Sequence, residues 1–178
     1  LGRWLEDHFG SPTYRVALDA GSTCPNRDGS KGFGGCVYCD VEGSGTGALR
    51  TGHDLKEQLR QGLGRVSRRQ QHAGGEHGVI AYFQSYSNTY VEAQRLEEVF
   101  EVVRPHLGDP VVAVSVATRP DTLPEECLDV LEALTEHVEV WLELGLEAAS
   151  DSILTKIGRM HTVDEFREAT ERATERGI

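Results

Sequence analysis

Apolar positions along this chain follow two alternating rhythms. Short, nearly continuous apolar runs read as strands: Thr13 to Asp19, Val79 to Phe83, Val111 to Val116 and Val138 to Leu146. Between them, apolar residues recur at helical spacing. Leu55, Leu59, Leu63 and Val66 share one face, and Leu96, Val99, Phe100 and Val103 make a second stripe stopped by Pro105. Leu123, Cys127, Leu131 and Leu134 make a third. Two shorter helical patterns close the chain, around Ile153, Leu154 and Ile157 and from Val163 to Glu175. The run from Val111 to Val116 has no polar alternation, as expected of a strand covered on both faces.

Strands alternating with helices of this length predict parallel βαβ units with right-handed crossovers. The fold class expected is α/β, a partial (β/α) barrel, with polar chemistry on the loops that follow the strands. Gly177 and Ile178 read as a helix C-terminal glycine followed by the first residue of another strand. With no initiator Met at the start, the expectation is a piece of a longer reading frame, truncated after about four βα units.

Composition narrows the class. The 178 residues are 38% hydrophobic and carry 20 Gly, which suits a globular core and excludes a disordered acidic chain. No apolar run approaches the ~18 residues of a membrane span, so no membrane partner is expected. Leu1 to Gly10 contains Glu6 and Asp7 and lacks the basic-then-apolar pattern of a signal peptide, which makes cytoplasmic residence the expectation. Eighteen Lys and Arg stand against 29 Asp and Glu, a net charge of −11 that speaks against a dominant phosphate-backbone binder. Arg60, Arg65, Arg68 and Arg69 form a local exception, read as a solvated helix face rather than a substrate patch.

The chemistry is concentrated after the first strand, in a glycine-rich stretch from Ala20 to Gly52. Cys24, Cys36 and Cys39 lie within sixteen residues, spaced C-x11-C-x2-C. A C-x2-C pair turns two sulfurs toward one metal, and the glycines let the third curl back. A tetrahedral zinc site wants a fourth ligand. The nearby candidates are weak: Asp40, His53, and Cys127 on a helical core stripe. Three thiolates without an obvious fourth suit a four-iron cluster with one open iron; spacing alone leaves zinc as the alternative.

Asp19 to Gly29 and Gly34 to Cys39, read together, closely resemble the cysteine loop of YhcC-type radical S-adenosylmethionine (SAM) proteins. That branch includes the catalytic subunit of Elongator and oxygen-independent coproporphyrinogen oxidase. The likeness continues through Phe9-Gly10, Tyr82 to Thr89, Thr118 to Asp121, Glu143 to Glu147 and Arg159 to Thr162. The sequence departs from the family pattern at Ser22, where an aromatic is usual, at Glu147, where Gln is common, and at Gly158 to Met160, where Asn-Arg-Gly is common.

The resemblance implies that residues 1–178 are the N-terminal part of a radical SAM core, with the cysteine loop at 20–52 and the C-terminal units missing. It implies a [4Fe-4S] cluster on Cys24, Cys36 and Cys39, with SAM on the open iron. Tyr38 would pack near adenine. Gln84, Ser87, Asn88 and Thr89 would hold the amino and carboxylate groups of SAM, although such residues are also preferred caps of a following helix. Glu147 and Arg159 would meet the ribose and the carboxylate, a structural ion pair at the barrel mouth being the alternative. Arg119 and Asp121 are rim residues that can pair with each other, and Glu143 is a candidate for the barrel lumen. Cys127 reads as a core thiol, and His161 as a polar residue at a helix start.

The function so implied is reductive cleavage of SAM to a 5′-deoxyadenosyl radical. The implied partners are an electron donor such as flavodoxin or ferredoxin and a tRNA substrate bearing a wobble uridine. The competing expectation is a non-catalytic zinc- or iron–sulfur-binding module.

Overall fold

In the computed structural model, which describes residues 1–39, 52 and 54–178, four parallel strands form one sheet in the order β1-β2-β3-β4. They are β1 (Thr13–Leu18), β2 (Gly78–Phe83), β3 (Val111–Thr118) and β4 (Glu139–Leu144). The helices are α1 (Gly2–Phe9), α2 (Leu55–Ala73), α3 (Ala93–Phe100), α4 (Glu125–Thr135), α5 (Asp151–Lys156) and α6 (Val163–Glu175). This is the α/β architecture expected, a partial (β/α) barrel. Asp40, His53 and most of the glycine-rich stretch beyond Cys39 lie outside the described residues.

One face of each strand builds the main core against the helices. Val16 and Leu18, then Val79, Ala81 and Phe83, then Val114 and Val116, and Val140 pack with Leu59, Leu96, Phe100, Leu128 and Leu131. Each fully buried Val, Leu or Phe side chain here contributes on the order of 1.5–3 kcal/mol. The opposite face is divided into two zones. At one end Ile80 and Ala113 meet Leu5, with Phe9 and Trp141 packed alongside. Toward the other end the lumen becomes polar, with Tyr82, Ser115 and Glu143.

Helix α1 has no counterpart in the reading of the sequence. Leu5 and Phe9 stand four residues apart on one helical face, and they plug the barrel floor. Eight residues are too few for periodicity to announce a helix. Two predicted stripes are shorter than expected. Helix α3 ends at Phe100, and Pro105 sits instead in a 3-10 turn at Arg104–His106, because proline cannot continue the α-helical hydrogen bonds. Leu123 is buried but precedes α4, whose N-cap is Pro124.

Local chemistry sets the other helix starts. The Asp54 side chain accepts from the backbone N–H of Lys56, and Thr162 and Glu165 form a capping box that opens α6. On the exposed face of α2, Arg60 pairs with Glu57 and Arg69 lies over the Tyr14 ring, so two of the four arginines have local partners. No described helix is long and apolar enough to cross a membrane.

Candidate functional site

The C-terminal ends of the four strands open onto a cleft of about 330 Å³. Its wall is drawn from four separate loops, which is how barrels of this class assemble sites from distant sequence.

The first loop begins at Asp19, which Gln58 of α2 brackets. The Gln58 side chain accepts from the Asp19 N–H at 2.8 Å and donates to the Asp19 carbonyl at 3.1 Å. Beyond it the chain folds on itself: the amides of Arg27 and Lys31 donate to the carbonyls of Cys24 and Pro25, each at 2.8 Å. The Cys39 amide donates to the Cys36 carbonyl at 3.0 Å, which folds the C-x2-C pair into a turn. Asn26 then ties this loop to the far side of the site. Its amide nitrogen donates to the Gly158 carbonyl at 2.6 Å and lies 3.4 Å from the Cys36 sulfur.

All four cysteines are free thiols. Cys24 and Cys39 line the cleft, and Cys36 is buried just behind it. Burial pushes the Cys39 thiol above its ordinary range. Among the described residues, no three His, Cys, Asp or Glu side chains are gathered in metal-ligand geometry. Cys127 lies in the core, where its sulfur approaches the carbonyls of Thr89 and Val91. That is the position its helical stripe predicted.

The second loop, after β2, sends Gln84, Tyr86 and Ser87 into the cleft. Ser85 and Tyr86 both have positive φ, at 91° and 60°, so the backbone turns sharply there. The Ser87 hydroxyl is buried without a partner, a donor and acceptor available to a guest. Asn88 and Thr89 differ. The Asn88 amide donates to the carbonyls of Phe83 and Ala117, and the Thr89 hydroxyl bonds Thr118 and the Thr122 carbonyl. Neither lines the cleft; both knit the second loop to the third.

The third loop holds a buried charged hub. The Arg119 guanidinium grips Asp121 through two hydrogen bonds of 2.8 Å, and Lys31 from the cysteine loop reaches the same carboxylate at 2.6 Å. Arg119 also donates to the Arg159 carbonyl at 2.7 Å and points Nη1 at the Cys24 sulfur, 3.8 Å away. Burial by itself would raise the Asp121 carboxyl, but hydrogen bonds from Arg119 and Lys31 outweigh it and hold the group low. Arg119 and Asp121 do pair with each other, as the sequence allowed. The contacts to Lys31 and Cys24 had no signal in it.

The fourth strand and the loop after it supply Glu143, Gly145, Glu147 and Arg159. Glu143 does face the lumen, accepting from the Ser115 hydroxyl at 2.8 Å and from the Tyr82 hydroxyl at 3.1 Å. Burial, with the Glu143 charge second, pushes the Tyr82 phenol up to about 12. Arg159 stands beside Glu147 and donates to the Gly145 carbonyl at 2.9 Å, while its Nε is buried without a partner. A Cβ at Gly145 would fall 2.5 Å from Arg159 Nη2 and 2.7 Å from Glu147 Oε1. Glycine is the residue that leaves both side chains room. Tyr38 also lines the cleft, within electrostatic reach of Arg159 and Glu147, and burial raises its hydroxyl well above the usual phenol range.

Beyond this parallel barrel segment with its cysteine loop after the first strand, residues 23–178 match the Radical SAM superfamily. The chain belongs to that superfamily. Within it, the chain is 37% identical over 178 residues to the protein YtqA of Bacillus subtilis, covering all of this chain and 53% of that protein. It is 34% identical over 179 residues to YhcC of Escherichia coli K12, covering all of this chain and 55% of that protein. The chain thus spans about half the length of the curated relatives it matches. Among solved structures, archaeal Methanocaldococcus infernus Elp3 lacking residues 1–46 superposes with a TM-score of 0.57 at 16% identity. That match covers 88% of this chain and 34% of Elp3, and it supports the fold.

Proposed function

We propose that residues 1–178 form the cluster- and SAM-binding part of a radical SAM enzyme. The observation that carries this reading is convergence. Cys24 and Cys39 from the first loop, Gln84 and Ser87 from the second, and Glu147 and Arg159 from the fourth line one cleft at the C-terminal edge of the sheet.

The donor set suits an iron–sulfur cluster. Three free thiols share one loop, and N–H donors from Asn26 and Arg119 face two of the three sulfurs, as outer-shell partners of ligating sulfurs do. Cys24, Cys36 and Cys39 would hold a [4Fe-4S] cluster as thiolates. When bound, the cluster supplies one electron to the sulfonium of SAM, and cleavage gives methionine and a 5′-deoxyadenosyl radical. The rest is binding and orientation, which is the protein's share. The Arg159 fork matches a carboxylate, and the Glu147 carboxylate offers acceptors to two ribose hydroxyls. The unpartnered Ser87 hydroxyl and the Gln84 amide offer donors and acceptors to the amino acid end. The half-exposed Tyr38 ring offers a face to adenine. Asn88 and Thr89 serve this site by holding the turn that presents Ser87.

A tRNA carrying a wobble uridine is the substrate class to test. Its support is the resemblance to the Elongator catalytic subunit; the net charge of −11 adds none. The experiment is anaerobic reconstitution of the full-length protein, followed by incubation with reductant, SAM and total tRNA. Formation of 5′-deoxyadenosine with loss of a tRNA nucleoside is the expected result. Zinc without iron, and no 5′-deoxyadenosine, would establish a metal-stapled binding module instead.

A further inference from the structure

Among the described residues Arg119 is the largest fully buried side chain, at 2% exposure, and a buried guanidinium needs a reason. Asp121 accounts for Nε and one face of Nη2, and the Arg159 carbonyl takes another proton of Nη2. The third nitrogen, Nη1, is directed at the Cys24 sulfur, 3.8 Å away. The hub is also charged overall. Arg119 and Lys31 carry two positive charges against the one negative charge of Asp121, whose side chain is 1% exposed.

Resting on the cluster reading above, we infer that Arg119 is a positioning residue for the cluster. It donates a hydrogen bond to the ligating sulfur of Cys24 and holds a buried positive charge against it, which raises the reduction potential of the cluster. The physical argument is one of sign. Reduction adds one negative charge to the iron–sulfur unit, and a nearby cation favours the more negative form. The site excludes much of the screening water, so the interaction is stronger than at a surface. Asp121 fixes the orientation of the fork, and its own charge opposes the effect from one residue further out. Lys31, from the cysteine loop itself, completes the clasp across 90 positions of sequence.

A merely structural hub would behave differently, since breaking it from either side would loosen the same loops. The two halves of the ion pair therefore separate the roles. In full-length, anaerobically reconstituted protein, Arg119→Gln removes the positive charge and Asp121→Asn removes the negative one. The measurements are iron content per chain and the midpoint potential from a redox titration followed by the electron paramagnetic signal of the reduced cluster. The expected result is a lower potential for Arg119→Gln and a higher one for Asp121→Asn, with iron content near that of the parent. Arg119→Lys, which keeps the charge but loses the fork, should fall between the parent and Arg119→Gln. Should one variant fail to fold, the sign of the shift in the other decides. Unchanged potentials, shifts of the same sign, or loss of iron from both variants would overturn the inference. A parent protein that takes up no iron would instead overturn the functional reading on which it rests.

Discussion

Arg159 Nη2 lies 3.7 Å from Glu147 Oε1, at the mouth of the cleft, with Gly145 beneath them both. The arginine side chain is 9% exposed and the glutamate 35%, so the pair is neither a surface ornament nor a sealed core bridge. At that distance, with the Arg159 Nε unpartnered, the guanidinium retains capacity for an incoming carboxylate.

This geometry gives separate expectations for ligand binding and for stability. Glu147→Ala and Arg159→Ala should still assemble the cluster but bind SAM about one to two decades more weakly. Each loses a charge-assisted hydrogen bond of ~1.5–3 kcal/mol. SAM titration of reduced, cluster-loaded protein checks this. Glu147→Gln keeps an acceptor oxygen and should bind SAM about as well as the parent. A pure ion pair at the rim would show lost stability and unchanged SAM affinity.

The thiols are expected to divide cleanly. Cys36→Ala should abolish iron binding, whereas Cys127→Ala, in the α4 core stripe, should leave iron content unchanged. Equal iron loss in both would remove the ligand assignment.

Gly62 packs α2 directly against Val16 of β1. A Cβ there would meet Val16 Cγ1 at 2.1 Å. Alanine would gain about 1 kcal/mol of helix propensity. It would also drive a methyl group into a strand valine whose χ1 has little freedom, and overpacking of that kind costs ~1–3 kcal/mol. Gly62→Ala should therefore destabilise the protein in denaturant titrations, and adding Val16→Ala should return part of the loss.

His161 sets an acid-side expectation. Burial, followed by the Arg159 charge, holds its imidazole down to about 4, from 6.5 when unfolded, and Asp121 at 4.0 Å offsets only part of this. Between those two values the unfolded chain binds the extra proton. The contribution of His161 is therefore complete above about pH 6.5 and is lost progressively as the pH falls toward 4. The loss should be on the order of 1–3 kcal/mol. Replacing His161 by Gln should flatten that limb in stability measurements from pH 7 to 4; an unaltered slope would place the titrating group elsewhere.

The order of the strands and of the helices after β1, and the cysteine-bearing loop, were legible along the chain because both depend on short-range features. Alternation and helical spacing fall within windows of a dozen residues, and the spacing of Cys24, Cys36 and Cys39 lies in one loop. What could not be read there is where each polar group spends its hydrogen bonds. Ser87, Asn88 and Thr89 are equally suitable for a ligand and for a turn. Packing of β2 beside β3 gives the Asn88 amide to the Ala117 carbonyl and the Thr89 hydroxyl to Thr118, and leaves the Ser87 hydroxyl open. Likewise, Asn26 reaches the Gly158 carbonyl and Lys31 reaches Asp121 because the barrel brings the ends of β1, β3 and β4 to one rim. Periodicity decides which face of an element is buried; the closing curvature of the sheet decides which distant side chains meet there, and no local pattern encodes that.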